Sequence, residues 1–428
     1  MIRMKYLTSI KNPYPIGDGD HGQIKPEQYL DEGIPYIRVQ NLSFNNRIDY
    51  EGMVYISDAV NKKNTKSILR PGDILVAKTG ATIGKAGIIP DDMPVANTTS
   101  SVGKITIDQN KCNNKFVYYC IASDPLQKKM WEIASTKSAQ PGFNIEDIKE
   151  FKIYLPDMKI QIAVSNYLDR KTTAIDSLIE KEEKAEEELK EYKDSLITKL
   201  VLNGTRNSKY KETGVKWMPN IPSNWSFSKI GPNCYLKGRI GWQGLTADEY
   251  KDEGPYLITG TDFENGSINW DTCVHITERR YVEASHIRVR RGDVLITKDG
   301  TVGKVAIVEE LPDKASLNSG VMLMRNLKGN YINKYLYYVL LSNVFWDWFY
   351  REKKENSTII HLYQEQFEKF SFPIPPKDEQ QEIIDYLDKK CEAIDKLLLL
   401  KEKKIKKLKE YKKSLIYECV TGRREINA

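Results

Sequence analysis

Histidine is nearly missing from this 428-residue chain. His21, His275, His286 and His361 are too scattered to suggest a metal cluster or a catalytic triad. The six cysteines (112, 120, 234, 273, 391, 419) form no Cys-x-x-Cys pair, so neither a zinc site nor a disulfide framework is expected. No apolar run approaches the ~20 residues of a membrane-crossing helix. The short Leu397–Leu400 run sits among charges, and no membrane partner is expected. The opening Met1-Ile2-Arg3-Met4-Lys5-Tyr6 lacks the apolar core of a secretion signal, which points to a cytoplasmic location. Charge of one sign is not in great excess. A net charge of +6 permits a polyanionic partner without demanding one. With 29% charged and 40% apolar residues, the composition is that of a soluble globular chain, long enough for several cores.

Catalytic signatures are also wanting. A phosphate-binding loop needs four residues between its glycines and Ser or Thr after its lysine. Gly80 and Gly84 enclose three, and Ala86 follows Lys85; Gly300 and Gly303 enclose two, and Val305 follows Lys304. Both segments read as glycine turns between strands. Asn12-Pro13-Tyr14-Pro15 reads as an extended turn. The chain is therefore expected to be no enzyme on its own.

What the sequence does contain, it contains twice. Asp31-Glu32-Gly33-Ile34-Pro35-Tyr36 returns as Asp252-Glu253-Gly254-Pro255-Tyr256. Gly72-Asp73-Ile74-Leu75 and Lys78 return 220 residues later as Gly292-Asp293-Val294-Leu295 and Lys298. Asn114-Lys115-Phe116 returns 219 residues later as Asn333-Lys334-Tyr335, and Tyr118-Tyr119, Pro156, Gln161, Tyr167-Leu168-Asp169, Ala174-Ile175-Asp176 and Glu191-Tyr192-Lys193 all return at the same shift. Two long copies are too few for a solenoid. They read as a duplicated unit, a homodimer written on one chain.

Within each copy, strands are expected at Tyr36–Val39, Asp73–Ala77, Ala86–Ile89 and Val102–Ile107, and again at Asp293–Thr297, Val305–Val308 and Val321–Arg325. Helices follow at Lys115–Ala122 and Pro125–Ser135, and at Asn333–Leu341. The fold class is α+β: globular units at 1–155 and 207–374, and long helices at 156–206 and 375–428. Gly204 and Gly422 are expected to stop those helices. Ile175, Leu178, Leu189, Tyr192 and Leu196 form an apolar seam on the first helix, with Glu182 in its gap. Ile394, Leu397, Leu408, Tyr411 and Leu415 repeat it on the second, with Lys401 and Lys404 in the gaps. Residues 180–194 carry eight acids against four lysines, whereas 401–413 carry eight lysines against two glutamates. Opposite charges select the partner, so the two helices are expected to pair with each other, antiparallel if a two-fold axis relates the copies. Such a pair would form a rod holding two globular heads apart.

This ordered set, with Ile34-Pro35-Tyr36-Ile37-Arg38, the two glycine turns, the Pro-x4-Gln start of each long helix and the Ile221-Pro222-Ser223-Asn224-Trp225 lead-in, resembles the specificity subunit of type I restriction-modification systems. The resemblance spans essentially the whole chain. It implies two target recognition domains, each reading half of a split sequence in double-stranded DNA, and a helical spacer that docks two methyltransferase subunits. It further implies restriction subunits in the full complex, with S-adenosylmethionine, ATP and magnesium serving those partners rather than this chain. The first copy lacks the Ile-Pro-x-x-Trp lead-in, so its first strand is expected to be abbreviated or differently packed. Two alternatives remain: a coiled-coil adaptor without DNA specificity, and the recognition part of a fused methyltransferase–nuclease.

DNA readout needs Arg, Lys, Asn or Gln at base edges and Lys or Arg on phosphates. The candidates in the first unit are Arg38, Gln40, Asn41, the basic run Lys62, Lys63, Lys66 and Arg70, and the turn lysines Lys78 and Lys85. In the second they are Arg239, Trp242, Gln243, the run Arg279, Arg280, Arg288, Arg290 and Arg291, and the turn lysines Lys298 and Lys304. Recurrence of the turn lysines suggests phosphate contact or support of the fold.

Overall fold

Ile74–Ala77 and its counterpart Val294–Thr297 are buried along their whole length, as short unbroken apolar runs are when they form central strands. Each lies third in a four-stranded antiparallel sheet. In the first copy the order is Ile16–Asp18, Val102–Ile105, Ile74–Ala77, Ala86–Ile88; in the second it is Cys234–Gly238, Val321–Asn326, Val294–Thr297, Val305–Ile307. A three-stranded sheet accompanies each: Val54–Ile56, Ile34–Ile37, Asn97–Thr98 in one, and Val274–His275, Lys251–Ile258, Ala315–Leu317 in the other. The computed structural model describes residues 1–19, 21–43, 48–136, 141–239, 244–352 and 361–426. It divides into one unit of Met1–Lys184 with Lys401–Ala428, and another of Ala185–Leu400.

The expected strand at Tyr36–Val39 falls earlier, at Ile34–Ile37. Val39 instead opens a single 3-10 turn, because the Asn41 side chain accepts the Arg38 N–H at 3.0 Å and curls the chain. The first strand of the first copy is indeed short. Ile2–Arg3 pairs with Lys152–Ile153 over two residues, whereas Ser226–Lys229 pairs with Ser371–Ile374 over four.

The long helices run Met158–Asn203 and Lys377–Val420, and Gly204 and Gly422 lie beyond them at positive φ, where glycine has no Cβ to clash. The recurring Pro-x4-Gln has a structural purpose. Gln161 is buried; its amide donates to the Pro156 carbonyl at 2.7 Å and its oxygen accepts the Asn113 N–H at 2.9 Å. Gln380 repeats this with the Pro375 carbonyl and the Ile332 N–H, both at 2.7 Å. Each glutamine thereby ties the first turn of a long helix to the start of the short helix at Asn114–Ala122 or Asn333–Leu341. Two turns further on, Asp169 accepts from Lys115 and the Tyr119 hydroxyl, and Asp388 meets Lys334 and the Tyr338 hydroxyl.

Within each unit the helix segments pair antiparallel. In the first unit Asp176 meets Lys412 at 2.7 Å, and Glu182 meets Lys404 at 2.7 Å and Lys401 at 2.9 Å. In the second, Lys193 meets Asp395 at 2.6 Å, and Arg206 meets Asp378 at 2.8 Å and Glu382 at 2.5 Å. Under the 219-residue shift, Asp176–Lys412 and Asp395–Lys193 are the same pair.

The seam departs from expectation in register. Ile175 and Ile394 are buried, Leu415 is fully buried, and Leu189, Leu196 and Leu408 are half-buried, as a seam requires. Leu178, Tyr192, Leu397 and Tyr411 are instead 45–53% exposed. Their neighbours Ile179, Lys193, Leu398 and Lys412 take the seam, which continues a strict 4,3 alternation from Leu168 to Leu200 and from Leu387 to Cys419. Adjacent apolar residues at 178–179 and 397–400 made the register ambiguous. At 193 and 412, lysines lay their methylene stems in the seam and carry their charge out to an aspartate.

Glu182 makes this pairing sensitive to acid. Hydrogen bonds from Lys404 and then Lys401 hold its carboxyl down to about 2 from an ordinary 4.5. The folded value lies below the unfolded one, so this stabilisation is complete above about pH 4.5 and is lost as pH falls toward 2. Thermal melting of wild type and Glu182→Gln between pH 5 and 2 should show the wild type losing its advantage across that window. A constant difference between the two would contradict this assignment.

Candidate nucleic-acid interface

The glycine turns project from the ends of the central strands. Gly80 and Gly300 adopt positive φ, and among the described residues nothing lies within 4 Å of a Cβ built at either. Gly84 and Gly303 also have positive φ but face inward. A Cβ on Gly84 would strike Gln127, and one on Gly303 would strike the Trp346 ring. The outer glycine thus forms an accessible tip and the inner one lets a helix pack close. Gly80–Thr82 forms a single 3-10 turn, in keeping with the reading of this segment as a glycine turn between strands.

A short helix carries the first two cations of each basic run. Ser57 caps Asp58–Lys63 by accepting the Val60 N–H at 3.3 Å, and Thr277 caps Glu278–Glu283 by accepting the Arg280 N–H at 3.4 Å. Lys62, Lys63, Lys66 and Arg70 are exposed; Lys62 pairs with Asp58 along its helix and Lys66 lies over the Tyr14 ring. In the second unit Arg279, Arg290, Arg291 and Lys304 are exposed. Arg279 pairs with Glu283 at 2.8 Å, and Lys304 reaches the Gly260 carbonyl at 3.4 Å. Arg70 and Arg290 occupy the same place, each with its backbone N–H held by the buried Asp73 or Asp293 and its side chain left outside. Gln40 is exposed, and Lys85, Lys298 and Arg288 are half-buried, Arg288 stacking on Tyr281 at 4.7 Å.

Other candidates turn inward. Asn41 is fully buried and donates to the Asp49 carbonyl at 2.9 Å, so it shapes its loop rather than reading a base. Arg38 is half-buried, donating to the Gly52 carbonyl at 2.6 Å and lying over Tyr29. Arg239 is 4% exposed and donates to the Leu317 carbonyl at 2.7 Å and the Ser316 hydroxyl at 3.1 Å; burial lowers its pKa to about 10. Arg280 is held by Glu249, Glu283 and the Gly244 carbonyl. Lys78 is 5% exposed with its ammonium on Asp18. Of the two roles open to it, this geometry fits support of the fold and not phosphate contact. Trp242 and Gln243 lie outside the described residues. Sequence reasoning missed Asp18, which folding brings to the Lys78 ammonium from a strand two places along the sheet.

Two units of one α+β fold, each presenting a different set of exposed cations, define a protein with duplicated recognition modules. The sequence pattern of the type I restriction modification DNA specificity domain matches residues 21–190 and again 222–410, and the chain belongs to that family. It is similar to a protein of Methanocaldococcus jannaschii named for a type I restriction enzyme specificity subunit, MjaX, at 24% identity over 91% of this chain and 87% of that one. It is also similar to the EcoBI specificity subunit of Escherichia coli, at 23% identity over 80% of this chain and 73% of the other. Among solved structures, a chain from a study of complex assembly and conformational transition of the type I R-M system matches with a TM-score of 0.72 at 15% identity, covering 98% of this chain and 96% of that one. The HsdS subunit from Thermoanaerobacter tengcongensis matches at 0.51 and 16% identity, covering 99% and 96%. Among the described residues no helix is long and apolar enough to cross a membrane.

Proposed function

We infer that this chain is the DNA sequence-recognition subunit of a type I restriction-modification complex, each unit reading one half of a split target. The observation that carries this reading is the double match to the specificity domain, one match per copy of the fold, with unlike exposed residues at equivalent positions. Such residues give the two half-sites different sequences on one scaffold. The spacing between half-sites then belongs to the paired helices.

Methyltransferase subunits dock on the outer faces of those helices. Leu178 and Tyr411 are exposed in the first unit, and Tyr192 and Leu397 in the second, the two sets being related by the repeat. Apolar side chains left exposed at matched positions suit two copies of one partner. Replacing Tyr192 and Leu397 with glutamate should reduce the bound methyltransferase from two copies to one, read by native mass spectrometry, with the melting temperature unchanged. Two copies still bound would contradict this docking face. In the assembled complex, DNA affinity should depend on sequence and fall steeply with salt. Equal affinity for all sequences would favour a plain coiled-coil adaptor instead.

A further inference from the structure

Asp18 and Gly238 occupy one position in the two sheets. Asp18 stands opposite Gly103 and Gly238 opposite Met322, and those partners in turn face Val76 and Ile296 of the central strands. The turn lysines are equally matched: the Lys78 N–H donates to the Ser101 carbonyl and the Lys298 N–H to the Gly320 carbonyl, both at 2.8 Å. Their charges have different surroundings. Lys78 is buried against Asp18, which also meets His21 at 3.2 Å. At Gly238 there is no carboxylate to offer, and a Cβ built there would lie 3.8 Å from the Lys298 Cε. Lys298 is half-buried, and among the described residues its ammonium meets no acceptor. The adjacent carboxylate, Asp299, is engaged by His361. Among the described residues nothing lies within 4 Å of a Cβ built at the neighbouring Gly300.

We propose that Lys298 is a DNA-backbone contact of the second unit, and that Asp18 withholds its counterpart Lys78 from DNA in the first. A cation without a partner beside an open turn can neutralise a phosphate and release a counterion; one already neutralised in the fold cannot. The two units, alike in fold, therefore contribute unequally to salt-dependent affinity. This proposal rests on the DNA-recognition reading above.

The test uses the complex assembled with its methyltransferase subunits, and titrates cognate and unrelated duplexes over a range of salt concentrations. Lys298→Ala should weaken both by about tenfold near 0.1 M salt and lower the salt slope by about one unit. Gly238→Asp, which installs the missing carboxylate, should reproduce that loss. Gly238→Ala, which adds the same crowding against Met322 without charge, should not. Lys78→Met should leave the slope unchanged while lowering the melting temperature. A silent Lys298→Ala, or an equal slope change for Lys78→Met, overturns the proposal. A complex whose wild type shows no sequence dependence would instead defeat the recognition reading.

Discussion

Asp176→Lys should destabilise the first unit by about 3 kcal/mol, and the exchange Asp176→Lys with Lys412→Asp should restore most of the loss. Both side chains of this pair are largely buried, 12% and 14% exposed. Reversing one partner sets two ammonium groups against each other where water reaches poorly. The equivalent pair in the second unit is more open, 25% and 53% exposed. Asp395→Lys should therefore cost less, within the roughly 0–1 kcal/mol of an exposed pair plus the added repulsion. Denaturant melts of the three variants measure this directly. Equal losses at the two sites, or no recovery in the exchange, would show that the pairs do not hold the helices together.

Gln380→Ala should cost about 3 kcal/mol, nearly the largest effect of any single polar side chain here. Gln380 is fully buried and serves three backbone groups: it donates to the carbonyls of Pro375 at 2.7 Å and Asn330 at 3.1 Å, and it accepts the Ile332 N–H at 2.7 Å. Truncation leaves all three without a partner in a dry site and opens a cavity the size of an amide. Gln380→Glu keeps the shape but brings a carboxylate toward two carbonyl oxygens, so it should not rescue. Gln161→Ala should behave alike in the first unit. A melting temperature within a degree of wild type for Gln380→Ala would contradict this account of the motif.

Much of this was legible because the repeat aligned two versions of each feature. The Asn333–Leu341 helix, the glycine stops and the pairing of Glu182 with Lys401 and Lys404 follow from propensity, periodicity and opposite charge. The seam register was less legible, since four successive leucines at 397–400 fit any register and three seam positions, 193, 401 and 412, are lysines. The interface was least legible. Arg239 and Asn41 have the residue types of DNA readers, but carbonyl groups brought close by folding claim their hydrogen-bonding capacity. Composition names the donor; the fold decides whether it is still free. Lys78 and Lys298 show the limit of recurrence itself, because a single difference two strands away in the sheet, Asp18 against Gly238, changes what the same lysine can do.

The central claim is that one chain reads two half-sites. The most direct measurement is a genome-wide map of adenine methylation in a host lacking that mark, with this chain and its methyltransferase subunit expressed together. The account predicts a split motif, absent when either protein is omitted, in which exchanging the second globular unit for that of a relative changes one half and leaves the other intact. A continuous motif, a motif that changes throughout on that exchange, or marks that do not depend on this chain would contradict it.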